Sequence, residues 1–204
     1  MVLIGMLDSP YVRRCAVSMK LMGVPFEHRS ISVFRQFDQF RAINPVVKAP
    51  SLVCDDGSVI MDSTLILDYV ESTVDAKRRL LPAEVERRKE ALRVTGIALA
   101  AAEKCVQMIY EHQQRPPEKR HDPWLQRIGG QANAAFAQLE GTVPERGWLH
   151  GERIGAADVV TAVVWRFGQY YVKETTIEEA RYPKLAAHSE RAEKLPQFAS
   201  TPID

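Results

Sequence analysis

The sequence predicts an α/β domain followed by an all-helical domain. Up to Asp75, short apolar stretches of strand length alternate with amphipathic stretches of helical period, whereas long helical periods without a convincing strand follow. The chain has 204 residues, of which 46% are hydrophobic and 26% charged, close to the average for globular proteins. A chain of this length accommodates one or two domains with a substantial buried core.

The first element is a short strand that leads into a helix. Residues 2–7 are apolar, which predicts a buried strand. Ser9 is a natural N-cap, and Pro10 suits the first helical position, where a missing N–H costs nothing. The helical period continues through Met22, and Gly23 ends it.

A second strand, a short helix and a hairpin follow. Residues 26–31 have extended character, and residues 34–43 carry apolar side chains at three-residue steps, which predicts a short amphipathic helix. Residues 51–54 and 59–61 form a predicted hairpin, because the Asp-Gly pair between them is a strong turn signal.

A helix from Ser63 to about Ser72 completes the first domain, which we place at residues 1–75. The predicted order is therefore β-α-β-α-β-β-α, in which a parallel βαβ half is joined to an antiparallel hairpin. This order is the thioredoxin-like arrangement.

The all-helical second domain is predicted at residues 84–204, after a linker at residues 76–83. Proline and glycine residues separate its helical stretches from one another. The predicted helices are approximately residues 83–113, 122–141, 156–171 and 183–194.

Charge and cysteine content exclude several classes of function. The net charge is +1, and neither domain carries the basic field that attracts nucleic acid or an anionic membrane. No apolar run approaches the length of a membrane helix, and residues 1–7 lack the features of a signal peptide, so we expect a cytoplasmic protein. Cys15, Cys54 and Cys105 are far apart and have no histidine at metal-ligand spacing, which predicts buried reduced thiols and no metal.

The turn before the first helix is the first candidate for chemistry. Ser9 to Val12 occupies the place where a thioredoxin-like domain carries its Cys-x-x-Cys. Because Ser9 and Val12 replace both sulfurs, disulfide exchange is chemically excluded at this turn. A hydroxyl at a helix N-terminus can donate a hydrogen bond to a ligand, or it can serve only as an N-cap.

Three motifs together resemble the cytosolic glutathione transferase superfamily, in its serine-type branch. Ser9 to Arg14 reads Ser-Pro-Tyr-x-x-Arg, which is similar to the opening motif of that family. Asn44 to Pro50 reads Asn-Pro-x-x-Lys-Ala-Pro and resembles its middle motif, while Asp62 and Ser63 fall at its glutamyl-binding step. The resemblance covers nearly the whole chain and implies glutathione as a co-substrate.

The resemblance implies a glutathione-binding set at Lys48, Ala49, Pro50, Asp62 and Ser63. The bond before Pro50 would be cis, and the backbone of Ala49 would pair with the cysteinyl part of the ligand. Ser63, which opens a helix, would attract the γ-glutamyl carboxylate, and Asp62 would face the α-amino group. Lys48 would meet the glycyl carboxylate or the cysteinyl backbone. A trans turn at Pro50 and simple capping by Asp62 or Ser63 are the structural alternatives.

The resemblance also implies that Ser9 is the catalytic group. A thiol with a pKa of about 8.5 is only a few per cent ionised at neutral pH, and a hydrogen bond from Ser9 at the positive end of a helix favours the thiolate. Lowering this pKa by about two units requires roughly 2.7 kcal/mol, which one charge-assisted hydrogen bond and a helix dipole can supply.

The electrophile pocket is expected between the two domains. Its candidate residues are Tyr11, Gln107, Met108, Tyr110 and Trp165, although aromatic and methionine side chains at helical spacing are more often part of a core. Arg14 is expected to tie the domains together by an ion pair. Gly155 to Asp158 resembles the capping box of the family, of which the Asp158 half is retained, and we predict a structural role for it.

Several interpretations of function remain open at this point. The leading hypothesis is a homodimeric enzyme that conjugates glutathione to a small electrophile. Glutathione-dependent isomerisation uses the same thiolate, so the sequence does not separate it from conjugation. A non-catalytic interaction module of the same fold needs no ligand site, and a cysteine-type thiol reductase is disfavoured by Ser9.

Overall fold

The computed structural model of the chain describes residues 1–172 and 177–203. It divides into two compact units, Met1–Leu80 with the segment from Lys194 onward, and Leu81–Glu193. The thioredoxin-like domain followed by a helical domain is confirmed. The predicted second domain also contains residues 173–176 and 204, which lie outside the described residues. Among the helices of the described ranges, none combines the length and the apolar character needed to cross a membrane.

The first unit is built on a four-stranded mixed sheet. Its strands are β1 Val2–Ile4, β2 Glu27–Arg29, β3 Ser51–Val53 and β4 Val59–Met61. The strand order is β2-β1-β3-β4, in which β1 and β2 are parallel and the other two pairs are antiparallel. The helices of this part are α1 Pro10–Leu21, α2 Phe37–Ile43 and α3 Ser63–Ser72.

Helix α1 begins where the sequence predicts and ends one residue earlier. Ser9 is its N-cap, and Pro10 stands at its first position. Gly23 has a φ of 63°, the left-handed conformation with which glycine commonly follows the end of a helix. Most of the helix is buried, including Val12 and Met19, which fixes α1 firmly on the sheet.

Helix α2 is shorter than the sequence predicts. The periodicity starts at Phe34, but the helix begins at Phe37, and these two side chains are 52% and 47% exposed. Ser32 explains the difference, because its Oγ accepts hydrogen bonds from the N–H groups of Phe34 and Arg35 and holds them in a turn. Phe40, by contrast, is buried as the periodicity predicts.

The second unit is helical. Its long helices are α4 Val85–Gln113, α5 Asp122–Thr142, α6 Ala156–Tyr171 and α7 Pro183–Glu193. Helix α6 is central, since it packs on α4 and α7 and most of its residues are buried. Phe136, Trp165 and Tyr182 form an aromatic core with ring centroids 5.6 to 6.1 Å apart.

The last described segment belongs to the first unit, although local periodicity predicts it in the helical domain. It contains the short helix α8 Pro196–Ala199 and packs on α1. Arg13 Nε donates a hydrogen bond to the carbonyl oxygen of Thr201 at 2.7 Å, and Phe198 is fully buried. The domain boundary was predicted from local periodicity, which carries no information about such long-range contacts.

Candidate functional site

The three sequence motifs emerge from one edge of the sheet. Ile4 at the end of β1 pairs with Ser51 at the start of β3, and Ser51 pairs with Met61 at the end of β4. The first motif follows β1, the second precedes β3 and the third follows β4, so the register places all three at the same edge. The candidate residues in these segments are Ser9, Lys48, Ala49, Pro50, Asp62 and Ser63.

Ser9 lies at the N-terminus of α1 and is partly exposed. Its Oγ accepts a hydrogen bond from the N–H of Val12 at 3.4 Å, so the hydroxyl caps the helix. A hydroxyl donates through its hydrogen while its lone pairs accept, so capping leaves Ser9 able to donate to a ligand. The N–H groups of the first helical turn add positive potential. This end of α1 is therefore suited to stabilise an anion.

Gly5 permits the end of β1 to lie close to α1 and to the loop before β3. Its φ of 134° is a conformation that residues with a side chain rarely adopt. A Cβ at this position would lie 2.6 Å from Val12 Cγ2 and 3.2 Å from Ala49 Cβ. Glycine therefore allows the end of β1 to pass between α1 and the loop that carries Ala49.

A buried polar network holds the loop before β3. Asn44 Nδ2 donates to Ser51 Oγ at 2.9 Å, and Ser51 Oγ donates to the carbonyl oxygen of Lys48 at 2.8 Å. Asn44 Oδ1 also accepts from the N–H of Val46 at 3.0 Å. Because Asn44 and Ser51 are buried, this network fixes the backbone that leads into β3.

The backbone at the site has unusual conformations. The bond between Ala49 and Pro50 is cis, as the resemblance implied. Val47 and Asp62 have positive φ values of 53° and 76°. The two positive φ values cost about 1–3 kcal/mol each in non-glycine residues, and they tend to occur at functional sites, where surrounding contacts enforce them.

Asp62 caps α3 and also contacts Lys48. Its Oδ1 accepts a hydrogen bond from the N–H of Thr64 at 2.9 Å, and its Oδ2 lies 3.6 Å from Lys48 Nζ. The capping role that the sequence left as an alternative is thus observed. Capping occupies one carboxylate oxygen, so the other can still meet a cation.

Arg14 does not have the role that the sequence predicted. An ion pair between the domains was expected, but Arg14 Nη1 instead donates to Ser63 Oγ at 3.3 Å and to Thr64 Oγ1 at 3.4 Å, within the first unit. The side chain is only 5% exposed. The sequence does not indicate these two hydrogen bonds, because the partners of Arg14 lie 49 and 50 positions away.

The residues predicted for the electrophile pocket differ in exposure. Trp165 is 3% exposed and belongs to the aromatic core of the second unit. Met108 is buried, Gln107 is partly buried, and Tyr110 is exposed. Tyr11 is partly exposed on α1. The assignment of these residues to a pocket stays a prediction.

A cleft of about 490 Å³ lies between α4 and α5 within the second unit. Met108 and Leu125 contribute apolar surface to it, and His112, Gln126 and Asn133 contribute polar groups. Met108 is the predicted pocket residue that lines this cleft. The sequence did not indicate the other residues, because residues of two facing helices come together only in the folded chain.

The cysteines are free and buried, as the sequence predicted. Burial raises the pKa of Cys15 to about 12 and the pKa of Cys105 to about 12. The thiolate is the reactive form of cysteine, so neither residue is a nucleophile at neutral pH. Within residues 1–172 and 177–203, no group of three or more His, Cys, Asp or Glu side chains could hold a metal ion.

Asp158 is structural, and the predicted half of a capping box is confirmed. Its Oδ2 accepts a hydrogen bond from the N–H of Gly155 at 2.9 Å. Its Oδ1 accepts from the N–H of Leu149 at 2.9 Å, so the same carboxylate also anchors the preceding loop. Burial raises the pKa of Asp158, which has no exposed surface.

Comparison with known proteins decides the family of the chain. Residues 3–78 match the family model of the glutathione S-transferase N-terminal domain, and residues 122–191 match that of the C-terminal domain. The chain belongs to the glutathione S-transferase superfamily. In this member of the glutathione S-transferase superfamily, the first match lies in the α/β part of the chain and the second match lies in the helical part.

Individual members of the glutathione S-transferase superfamily resemble the chain over most of its length. Glutathione S-transferase U4 of Arabidopsis thaliana is 24% identical over 198 residues, which cover 90% of this chain and 80% of that protein. A maleylacetoacetate isomerase of Pseudomonas aeruginosa is 25% identical over 153 residues, with coverages of 72% and 71%. A crystal structure of a glutathione S-transferase from Methylobacterium radiotolerans, in complex with glutathione sulfonate, is 26% identical, has a TM-score of 0.90 and covers 98% of this chain and 93% of that one.

Proposed function

We propose that the chain is an enzyme that conjugates glutathione to small electrophiles, with the Ser9 hydroxyl as the activating group. The observation that supports this proposal is the register of the sheet, which brings Ser9, the Ala49–Pro50 turn and the start of α3 to one edge. Similarity to a transferase whose structure contains glutathione sulfonate supports glutathione as the ligand.

The residues at this edge match the charges of glutathione. In the proposed complex, the start of α3 with Ser63 holds the γ-glutamyl carboxylate, because unpaired N–H groups at a helix N-terminus favour anions. Asp62 faces the α-amino group, and the backbone of Ala49 pairs with the cysteinyl unit. Lys48 supplies a positive charge for the glycyl end.

The proposed chemistry begins with the sulfur. Ser9 donates a hydrogen bond to the sulfur and stabilises it as the thiolate, while the thiol proton leaves to solvent. The thiolate then forms a carbon–sulfur bond with an electrophilic carbon, and the leaving group departs with its bonding electron pair. No ionised serine is required, because Ser9 acts as a donor and remains protonated throughout.

Glutathione-dependent isomerisation is the second candidate. It is supported by the similarity to the maleylacetoacetate isomerase. In that reaction the thiolate would add to a conjugated double bond, the resulting single bond would rotate, and expulsion of the thiolate would restore the double bond. Because the sulfur is regenerated, isomerisation consumes no glutathione, whereas conjugation consumes one molecule per turnover.

We further propose that the enzyme is a homodimer. Helix α3 exposes two large apolar side chains four residues apart, Leu65 at 60% and Tyr69 at 38% exposure. Side chains with this spacing share one helix face and form a surface that a second copy can cover. Light scattering of the purified protein distinguishes a dimer from a monomer.

The proposed function is tested by glutathione binding and conjugation. The wild-type protein should be retained on immobilised glutathione and should conjugate glutathione to a generic aryl halide. Ser9→Ala should bind glutathione nearly normally but lose about 10²- to 10³-fold in rate, the range for loss of one such donor. Ser9→Thr is the matched control, because it keeps a hydroxyl at the N-cap and should keep part of the rate.

Two results would contradict this assignment of function. Absence of glutathione binding would support the non-catalytic interaction module instead. An unchanged conjugation rate in Ser9→Ala would eliminate Ser9 as the activating group, even if the protein is a transferase.

A further inference from the structure

Arg14 lies behind the N-terminus of α3, next to the proposed carboxylate site. Its guanidinium approaches from α1 and donates from Nη1 to both Ser63 Oγ and Thr64 Oγ1, at 3.3 and 3.4 Å. Ser63 is itself 4% exposed. A buried cation therefore contacts the two residues that open the helix proposed to bind an anion.

The charge of Arg14 is weakly compensated by the protein. In the parts of the chain that the structure describes, no carboxylate forms an ion pair with Arg14, whose contacts are the two hydroxyls. Burial lowers the pKa of Arg14, while the nearby charge of Asp62 acts in the opposite direction. A buried charge is costly unless it is paired, so an anion at this place would be strongly favoured.

The direction of the hydrogen bonds points to the same kind of ligand. A guanidinium can only donate, so the oxygens of Ser63 and Thr64 act as acceptors toward Arg14 and their hydrogens point elsewhere. Within residues 1–172 and 177–203, neither hydroxyl donates to another atom. Arg14 thus turns both hydroxyls into donors for a group on the other side.

We propose that Arg14 is a positioning residue for the γ-glutamyl carboxylate of glutathione, which it favours by orienting the Ser63 and Thr64 hydroxyls and by supplying a compensating positive charge. This inference rests on the proposed function, since it needs glutathione as the ligand. Under this proposal, the Ser-Pro-Tyr-x-x-Arg motif contributes to two parts of the site. Ser9 donates to the sulfur of glutathione, and Arg14 stabilises the γ-glutamyl carboxylate at the other end of the ligand.

The test compares glutathione with an analogue that lacks only the α-carboxylate of the γ-glutamyl unit, 4-aminobutanoyl-cysteinyl-glycine. Calorimetry gives the Kd of each ligand for the wild type, Arg14→Met and Arg14→Lys. Arg14→Met should weaken glutathione binding by about tenfold or more, the effect of losing a charged hydrogen-bond partner, and should leave the Kd of the analogue nearly unchanged. Arg14→Lys keeps the charge but not the fork of donors, so it should recover part of the affinity for glutathione.

Arg13→Met is the matched control, because it also removes a buried arginine of α1, but one whose Nε donates to Thr201 O in the C-terminal segment. This variant should lower stability without changing the ratio of the two dissociation constants. If Arg14→Met does not fold, the ratio of the two dissociation constants in the wild type and in Arg14→Lys still tests the inference. Equal affinity of the wild type for both ligands, or an equal loss for both in an Arg14 variant, would overturn the inference.

The controls also separate this inference from the proposed function. If the wild type binds neither glutathione nor the analogue, the proposed function itself fails. If the wild type binds and conjugates glutathione but the Arg14 variants do not discriminate between the two ligands, the proposed function stands and the role of Arg14 is wrong.

Discussion

Lys48 Nζ lies 3.6 Å from Asp62 Oδ2, so the loop before β3 and the N-cap of α3 are joined by an ion pair. Both side chains are about half exposed, at 52% and 44%. An exposed pair of this kind contributes little to stability, because water and salt screen it. The contact instead places two opposite charges side by side at the candidate site, where each partly neutralises the other.

Replacement of Lys48 should affect binding more than stability. Lys48→Met should change the free energy of unfolding by less than about 1 kcal/mol, the range for exposed ion pairs. It should weaken glutathione binding severalfold, because the glycyl end loses its cation. Urea unfolding and calorimetry measure the two effects. Lys89→Met is the control, because Lys89 pairs with Glu86 on the exposed surface of α4 and should change neither. Tighter binding in Lys48→Met would show that Lys48 competes with the ligand for Asp62.

Gly5 should tolerate no side chain. Gly5→Ala combines a strained φ with a Cβ that would lie 2.6 Å from Val12 Cγ2, so we expect a loss of about 2–4 kcal/mol in the free energy of unfolding. Gly57→Ala separates the two causes, since Gly57 also has a positive φ, of 84°, but its Cβ would meet nothing within 4 Å. Its loss, measured in the same urea titrations, should be near 1 kcal/mol. Equal losses in the two variants would contradict the close approach described for Gly5.

Stability should fall as the pH is lowered through the range in which His188 titrates. Burial and the charge of Arg191 lower the pKa of His188 from 6.5 to about 4. Between these values the unfolded chain binds the proton that the folded chain excludes, so unfolding becomes easier as the pH decreases, by at most roughly 3 kcal/mol. Asp158, whose Oδ1 lies 3.6 Å from His188 Nε2, offsets part of this loss, because burial raises the pKa of its carboxyl and protonation then favours the folded state.

His188→Gln checks this pH dependence. Urea unfolding of this variant between about pH 6.5 and 4 should show a flatter decline than the wild type, whatever its stability at neutral pH. His121→Gln is the control, because it removes an exposed histidine and should leave the slope unchanged. A wild-type stability that stays constant over this range would show that His188 is not excluded from protonation in the folded state.

Local patterns in the sequence predicted the elements of the fold well. The Ser9-Pro10 pair marked the start of α1, the Asp-Gly turn marked the hairpin, and the predicted span of α6 agrees with the observed helix Ala156–Tyr171. These signals act within a few residues, so they can be recognised without knowledge of tertiary contacts. Asp158 likewise indicated the half capping box, because the N–H of Gly155 that it accepts from lies only three positions away.

Features that depend on distant residues could not be predicted from the sequence. The three-residue spacing of phenylalanines predicted a longer α2. The turn at Ser32, whose Oγ accepts from the N–H of Phe34, delays the start of the helix. The hydrogen bond from Arg14 to Ser63 and the hydrogen bond from Arg13 to Thr201 span 49 and 188 positions. The ion pair of Lys48 with Asp62 joins two motifs that the sequence treated as separate contacts for the ligand.

The central claim is that Ser9 stabilises the thiolate of glutathione, and the pKa of the bound thiol tests it most directly. Thiolate absorbance in the ultraviolet, recorded against pH for the glutathione complexes of the wild type and Ser9→Ala, gives this pKa. In the wild-type complex it should lie about two units below the value of about 8.5 for a free thiol, and in Ser9→Ala it should return close to that value. A Ser9→Ala complex whose thiol pKa remains as low as that of the wild type would contradict the account.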